Sequence, residues 1–171
     1  MSTEKLQNTV FWTRSAILLA LALVLQLGGF PQPVTGPGIN AVLFLAAMIV
    51  GPLAGIAIGI FTPVMGFLRG ILPPVLAPMI PFIAAGNAML VLVYFILTRF
   101  LPGNKDSTFT PGRIVSMIIA SAAKFLLLAS AVTFLVEVPQ PAAQMMTMPQ
   151  LYTALAGGLI ALLAYRALPL E

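Results

Sequence analysis

Between Arg14 and Arg69 the chain runs for 54 consecutive residues without a charged side chain, and between Arg69 and Arg99 for another 29. Uncharged runs above roughly 18 residues, when apolar, are what a bilayer-spanning helix requires. A water-soluble domain carries about 25% charged residues; here 7% of 171 residues are charged and 60% are hydrophobic. The chain reads as an all-α integral membrane protein. Its length leaves no room for a soluble domain beside the spans, so residues 1–171 read as a single membrane domain. Cysteine is absent, which removes disulfides and thiolate metal sites from consideration. The net charge of +4 and pI near 10 follow from basic residues at loop ends, and membrane topology explains them better than nucleic acid does. The first apolar run ends in "QLGGFPQPVTGPG" without a small-x-small cleavage pattern, and it reads as a retained first helix.

Helices are expected over 11–29, 78–98, 112–136 and 149–168, with 38–68 ambiguous. As one helix, the 31 residues of 38–68 would rise about 46 Å, against a hydrocarbon core of about 30 Å. As two, they divide at Gly51-Pro52 into 38–50 and 52–68, with Pro52 in a first turn and Gly51 ending the helix before. Charge placement favours two. Six spans with both termini cytoplasmic put Lys5, Arg14, Arg99, Lys105, Arg113 and Arg166 inside and Arg69 alone outside; five spans put three inside and four outside. The six-span path obeys the positive-inside rule. Its external connections, 30–38, 69–77 and 137–148, are proline-rich and nearly uncharged, suited to forming a lid. The internal ones are the Gly51-Pro52 turn and the basic "RFLPGNKDSTFTPGR".

The chemistry that is missing narrows function. There is no histidine, and the four acids Glu4, Asp106, Glu137 and Glu171 lie near termini or in loops. A proton relay, a nucleophile with its base, a metal cluster and a phosphate loop are all without their residues. No enzyme, cofactor, metal or self-contained pump is expected.

Against that background a few polar residues at membrane depth stand out. Lys124 lies 11 residues beyond Arg113, about 16 Å up its helix and near the midplane. A lysine there marks either a functional site or a structural tie to backbone carbonyls. Glu137, 13 residues further, is about 20 Å away along the helix and out of reach. Lys124 therefore needs another helix, water or an anionic ligand group. Asn87 and Gln26 each lie 12 residues from a cytoplasmic-end arginine, about 18 Å from the inner face. Asn40 opens the second helix, and Tyr152 and Thr153 open the last. Each of these fits interhelical hydrogen bonding; their shared level fits a pocket. Arg69 is either an acid-binding or a headgroup-anchoring cation. Gly51, Gly55 and Gly59 form GxxxGxxxG, a helix-packing stripe, and Ala16 and Ala20 form a small-xxx-small pair. Met145, Met146 and Met148 offer soft apolar surface that either caps a ligand or plugs the mouth of the bundle.

Six short helices, a long first external loop, "GPLAGIAIG" opening the third helix and the Ala16/Ala20 pair together resemble the substrate-binding S components of energy-coupling factor vitamin transporters. The resemblance spans essentially the whole chain. It implies a vitamin or cofactor precursor bound at the outer face, beneath the first, third and fifth loops. It also implies toppling of the protein against a transmembrane T component driven by two cytoplasmic ATPases, with Ala16 and Ala20 as the docking surface. The expected substrate-binding set is Lys124, Asn87, Gln26, Asn40, Arg69 and Tyr152. The single tryptophan, Trp12, sits at the inner interface, so the tryptophan-rich thiamine-binding pattern is not present. Two other readings stay open: a structural or assembly subunit of a larger membrane complex, and a stand-alone small-solute facilitator.

Overall fold

The computed structural model describes residues 3–101 and 108–168. Lys105, Asp106 and Glu171, used above for charge placement and for the census of acids, lie outside the described residues. Among the described residues seven α-helices follow in order: α1 (Thr3–Leu27), α2 (Gln32–Ile49), α3 (Pro52–Leu68), α4 (Ile80–Phe100), α5 (Pro111–Ser130), α6 (Gln140–Met145) and α7 (Met148–Ala167). A 3-10 helix, Pro74–Met79, leads into α4, and a π-helical turn, Ala131–Leu135, extends α5. Five segments of the described residues are long and apolar enough to cross a membrane: Glu4–Leu27, Gln32–Ile49, Pro74–Phe100, Pro111–Leu135 and Gln140–Ala167. The 17-residue α3 is a shorter apolar helix.

The break at Gly51-Pro52 is a turn. Val50 N–H and Gly51 N–H both donate to the Ala46 carbonyl, at 3.0 and 2.9 Å, and Pro52 opens α3. Gly51 holds φ at +124°, a region that a side chain would disfavour. Its role is thus to turn the chain, and the packing stripe reduces to Gly55 and Gly59. The other connections are shorter than the proline content suggests. Residues 30–38, read as a loop, are helical from Gln32 onward. Pro33 falls in the first turn, where no N–H is needed, and Pro37 sits inside the helix, as buried membrane helices tolerate. The segment 137–148 contains α6.

The bundle is built around α2, whose residues from Ile39 to Ala47 are all buried. Helices α1, α3, α4 and α7 pack on it, and α5 closes the far side against α4 and α7. A second apolar cluster, Leu76, Met79, Leu128, Ala131, Ala142 and Met146, ties the 3-10 helix, the end of α5 and α6 together. The side-chain distribution is the reverse of that of a soluble protein: Trp12, Leu53, Phe100 and Phe134 are exposed on the outside, whereas Asn40, Thr62, Asn87, Ser116, Ser121 and Lys124 are buried. That arrangement suits a surface solvated by lipid, with polar groups turned to the interior.

Candidate functional site

Lys124, on the inward face of α5, is 3% exposed. Its ammonium donates to Asn40 Oδ1 of α2 and to Asn87 Oδ1 of α4, both at 2.7 Å. Each amide is held in turn: Asn87 Nδ2 donates to the Gly59 carbonyl of α3 at 2.8 Å, and Asn40 Nδ2 to the Gly36 carbonyl at 2.9 Å. The chain dictates the first of these bonds. Pro63 lies inside α3 and has no N–H, so it cannot supply the helical bond to the carbonyl four residues back. That carbonyl belongs to Gly59, and Asn87 provides the hydrogen instead. Bare glycine surfaces bring the helices close enough. A Cβ at Gly59 would stand 2.8 Å from Asn87 Cβ, and one at Gly157 of α7 would stand 2.6 Å from Asn40 Cβ and from the Pro37 carbonyl.

Four helices thus converge on one ammonium through amide dipoles. The arrangement satisfies two of its three N–H groups and leaves its charge unneutralised. Glu137, the acid nearest along the chain, is exposed.

The Lys124, Asn40 and Asn87 knot forms part of the wall of a cavity of about 290 Å³. Gln26 and Thr62 line it on the α1 and α3 sides, and Phe30, Ile71, Leu72 and Leu76 supply apolar wall. Met145 and Met146 line it from the α6 end, and Gln150 of α7 joins them. Gln150 Nε2 donates to the Met145 carbonyl at 3.2 Å, which fixes the end of α6 to the start of α7. Mostly apolar walls with a few convergent polar groups are the usual make-up of a small-molecule site.

Of the residues singled out from sequence, Lys124, Asn87, Asn40 and Gln26 meet at this cavity. Asn40 is eight residues inside α2 rather than at its start, because α2 begins at Gln32. Arg69 caps the end of α3 and is exposed. Tyr152 is 65% exposed on α7. Neither is among the cavity-lining residues. Ala16 and Ala20 are exposed on α1. Ala16 lines an apolar groove of about 600 Å³ between α1 and α3, with Trp12, Leu53 and Phe61. Sequence reasoning missed Thr62 and Gln150. Thr62 had a signal, since it is the sole polar side chain in α3; Gln150 had none beyond its place in the first turn of α7.

A search of curated proteins and a search of solved structures each return no match. The profile of the family described as "ECF transporter, substrate-specific component" matches residues 11–168, nearly the whole chain. The chain therefore belongs to the substrate-specific components of ECF transporters, transport subunits rather than enzymes, and is a multi-pass protein of the cell membrane.

Proposed function

We propose that this subunit captures a vitamin or cofactor precursor bearing an acidic group at the outer face of the membrane. It then delivers that ligand with a separate transmembrane T component and two cytoplasmic ATPases. The observation that carries this reading is the buried Lys124 ammonium, held at 2.7 Å by two neutral amides at a cavity wall. A buried ammonium without a counter-charge is costly, and a ligand carboxylate supplies both the missing charge and an acceptor for the third N–H.

The reading takes the chain as six spans with both termini cytoplasmic, the 17-residue α3 among them. Residues 28–31, 69–79 and 136–148 then form the external lid over the cavity. Ala16 and Ala20 present a small-residue face to the T component, with the α1/α3 groove beside it. Arg69 and Tyr152 lie at the lid end, where they guide an acidic ligand inward. Energy comes from the ATPases, in keeping with a chain of four acids and no histidine.

The test is a thermal-shift screen of purified protein against the water-soluble vitamins, with co-purification of the partner subunits. One acidic vitamin is expected to raise the melting temperature by several degrees. Absence of any stabilising vitamin, or solute uptake in liposomes lacking partners and ATP, contradicts the reading.

Pro63→Ala probes the wall from behind. It restores a backbone N–H that competes with Asn87 for the Gly59 carbonyl. We expect vitamin affinity to fall about tenfold, or roughly 1.4 kcal/mol, as Asn87 loosens. The melting temperature of the empty protein should hold or rise, since an interior proline normally weakens a helix. Calorimetry and thermal unfolding read the two effects separately.

A further inference from the structure

Among the polar side chains that line the cavity, Thr62 stands apart. Thr62 is 0% exposed, and its hydroxyl has no hydrogen-bond partner. A helical threonine ordinarily returns its hydroxyl to the carbonyl three or four residues back. Thr98 does so in this protein, to Tyr94 and Phe95 at 3.0 Å each. Thr62 does not, and it lies at the cavity wall. It sits three residues beyond Gly59, about 4.5 Å along α3 toward the lid. Moving outward from the Lys124 knot, the next polar group on α3 is therefore a hydroxyl sealed from water and left without a mate. Buried polar groups are normally paired, so an orphan at a ligand cavity points to a partner that arrives with the ligand. Threonine in a helix populates two χ1 wells, so its hydroxyl and methyl exchange places without unwinding α3.

We infer that Thr62 is a second polar anchor of this cavity and that the ligand is bifunctional. It presents an anionic oxygen to Lys124 and a hydroxyl, carbonyl or amide group to the α3 wall nearer the lid. This rests on the acidic-ligand reading above and adds a selectivity to it. An acid with only a hydrocarbon body leaves the Thr62 hydroxyl as unpaired as in the empty protein and forgoes the hydrogen bond that a bifunctional acid gains, so the site discriminates against it.

The experiment is calorimetry on the purified full-length protein with three probes. Biotin and pantothenate carry a carboxylate plus ureido, amide or hydroxyl groups; octanoate carries a carboxylate alone. The protein is expected to bind biotin or pantothenate at least about tenfold more tightly than octanoate. Thr62→Val should erase that preference, weakening the better probe at least about tenfold while moving octanoate by less than about twofold. The empty variant should melt no lower than the parent, since the methyl replaces an unpaired hydroxyl of the same shape. Thr62→Ser keeps the hydroxyl and should keep the preference. Octanoate binding as tightly as the bifunctional acids, or an unchanged ratio in Thr62→Val, overturns the inference while leaving the acid reading intact. If none of the three acids binds, this inference falls, and the acid reading falls with it only when the vitamin screen also finds no acidic ligand.

Discussion

Lys124→Met is expected to reduce affinity for the acidic ligand at least a hundredfold, about 2.7 kcal/mol, while the empty protein remains folded. The affinity loss follows from removing a desolvated, charge-assisted hydrogen bond, an effect in the range of about 2–5 kcal/mol. The small stability change follows from a cancellation. Methionine relieves the burial of an ammonium with no counter-charge, which alone favours the variant by about 1–4 kcal/mol. It also strips Asn40 Oδ1 and Asn87 Oδ1 of their donor at 2.7 Å, each worth about 1–3 kcal/mol. These contributions oppose each other, so the net is expected to stay within about 2 kcal/mol of the parent. Equilibrium binding and thermal unfolding on the same preparation separate the two effects. Unchanged binding removes Lys124 from the site. Loss of folding assigns it to structure, and with it the reading of the chain as an assembly subunit.

Asn87→Leu is expected to do the reverse, damaging the fold more than any other single change at the cavity. The substitution keeps the side-chain shape against Gly59, whose surface lies hard against Asn87 Cβ. It removes an acceptor of Lys124 and the donor to the Gly59 carbonyl. The first loss is a hydrogen bond to a charged group, about 1.5–3 kcal/mol; the second leaves unsatisfied a carbonyl that Pro63 cannot serve, about 1–3 kcal/mol. Both act in the same direction, giving an expected destabilisation of about 3–5 kcal/mol. In the Lys124→Met background only the second loss remains, so Asn87→Leu should cost about 1.5–3 kcal/mol less there than in the parent. That non-additivity, read in a double-mutant cycle of thermal unfolding, is the signature of the ammonium–amide contact. Strict additivity would mean that the two side chains act independently.

Much of this was legible in the residues. The charge-free runs required a membrane, and counting 1.5 Å per residue placed Lys124 and Asn87 at one depth. They hydrogen-bond in the structure. The Gly51-Pro52 turn was legible because glycine after a helix and proline before one have separate backbone reasons to be there. Other features were hidden by physics that acts across the chain. Pro33 and Pro37 look like loop residues until α2 is seen at the centre of the bundle, where packing overrides the proline penalty. That error put Asn40 at a helix start instead of two turns inside. Arg69 and Tyr152 lie within two residues of the cavity-lining Ile71 and Gln150, but which way a side chain faces around a helix does not follow from its depth. Thr62 was overlooked among apolar neighbours, although a lone hydroxyl in an otherwise apolar helix of such a protein is itself a signal.

Capture from outside requires that the Lys124 cavity open toward the exterior of the cell. A chain without cysteine allows it to be tested with single-cysteine variants and a membrane-impermeant maleimide applied to intact cells. Gln144→Cys, on the exposed surface of α6 beside the cavity-lining Met145, is expected to label from the medium. Lys105→Cys is expected to label only after the membrane is permeabilised. Labelling of Lys105→Cys in intact cells, with Gln144→Cys protected, would turn the cavity toward the cytoplasm and contradict capture from outside.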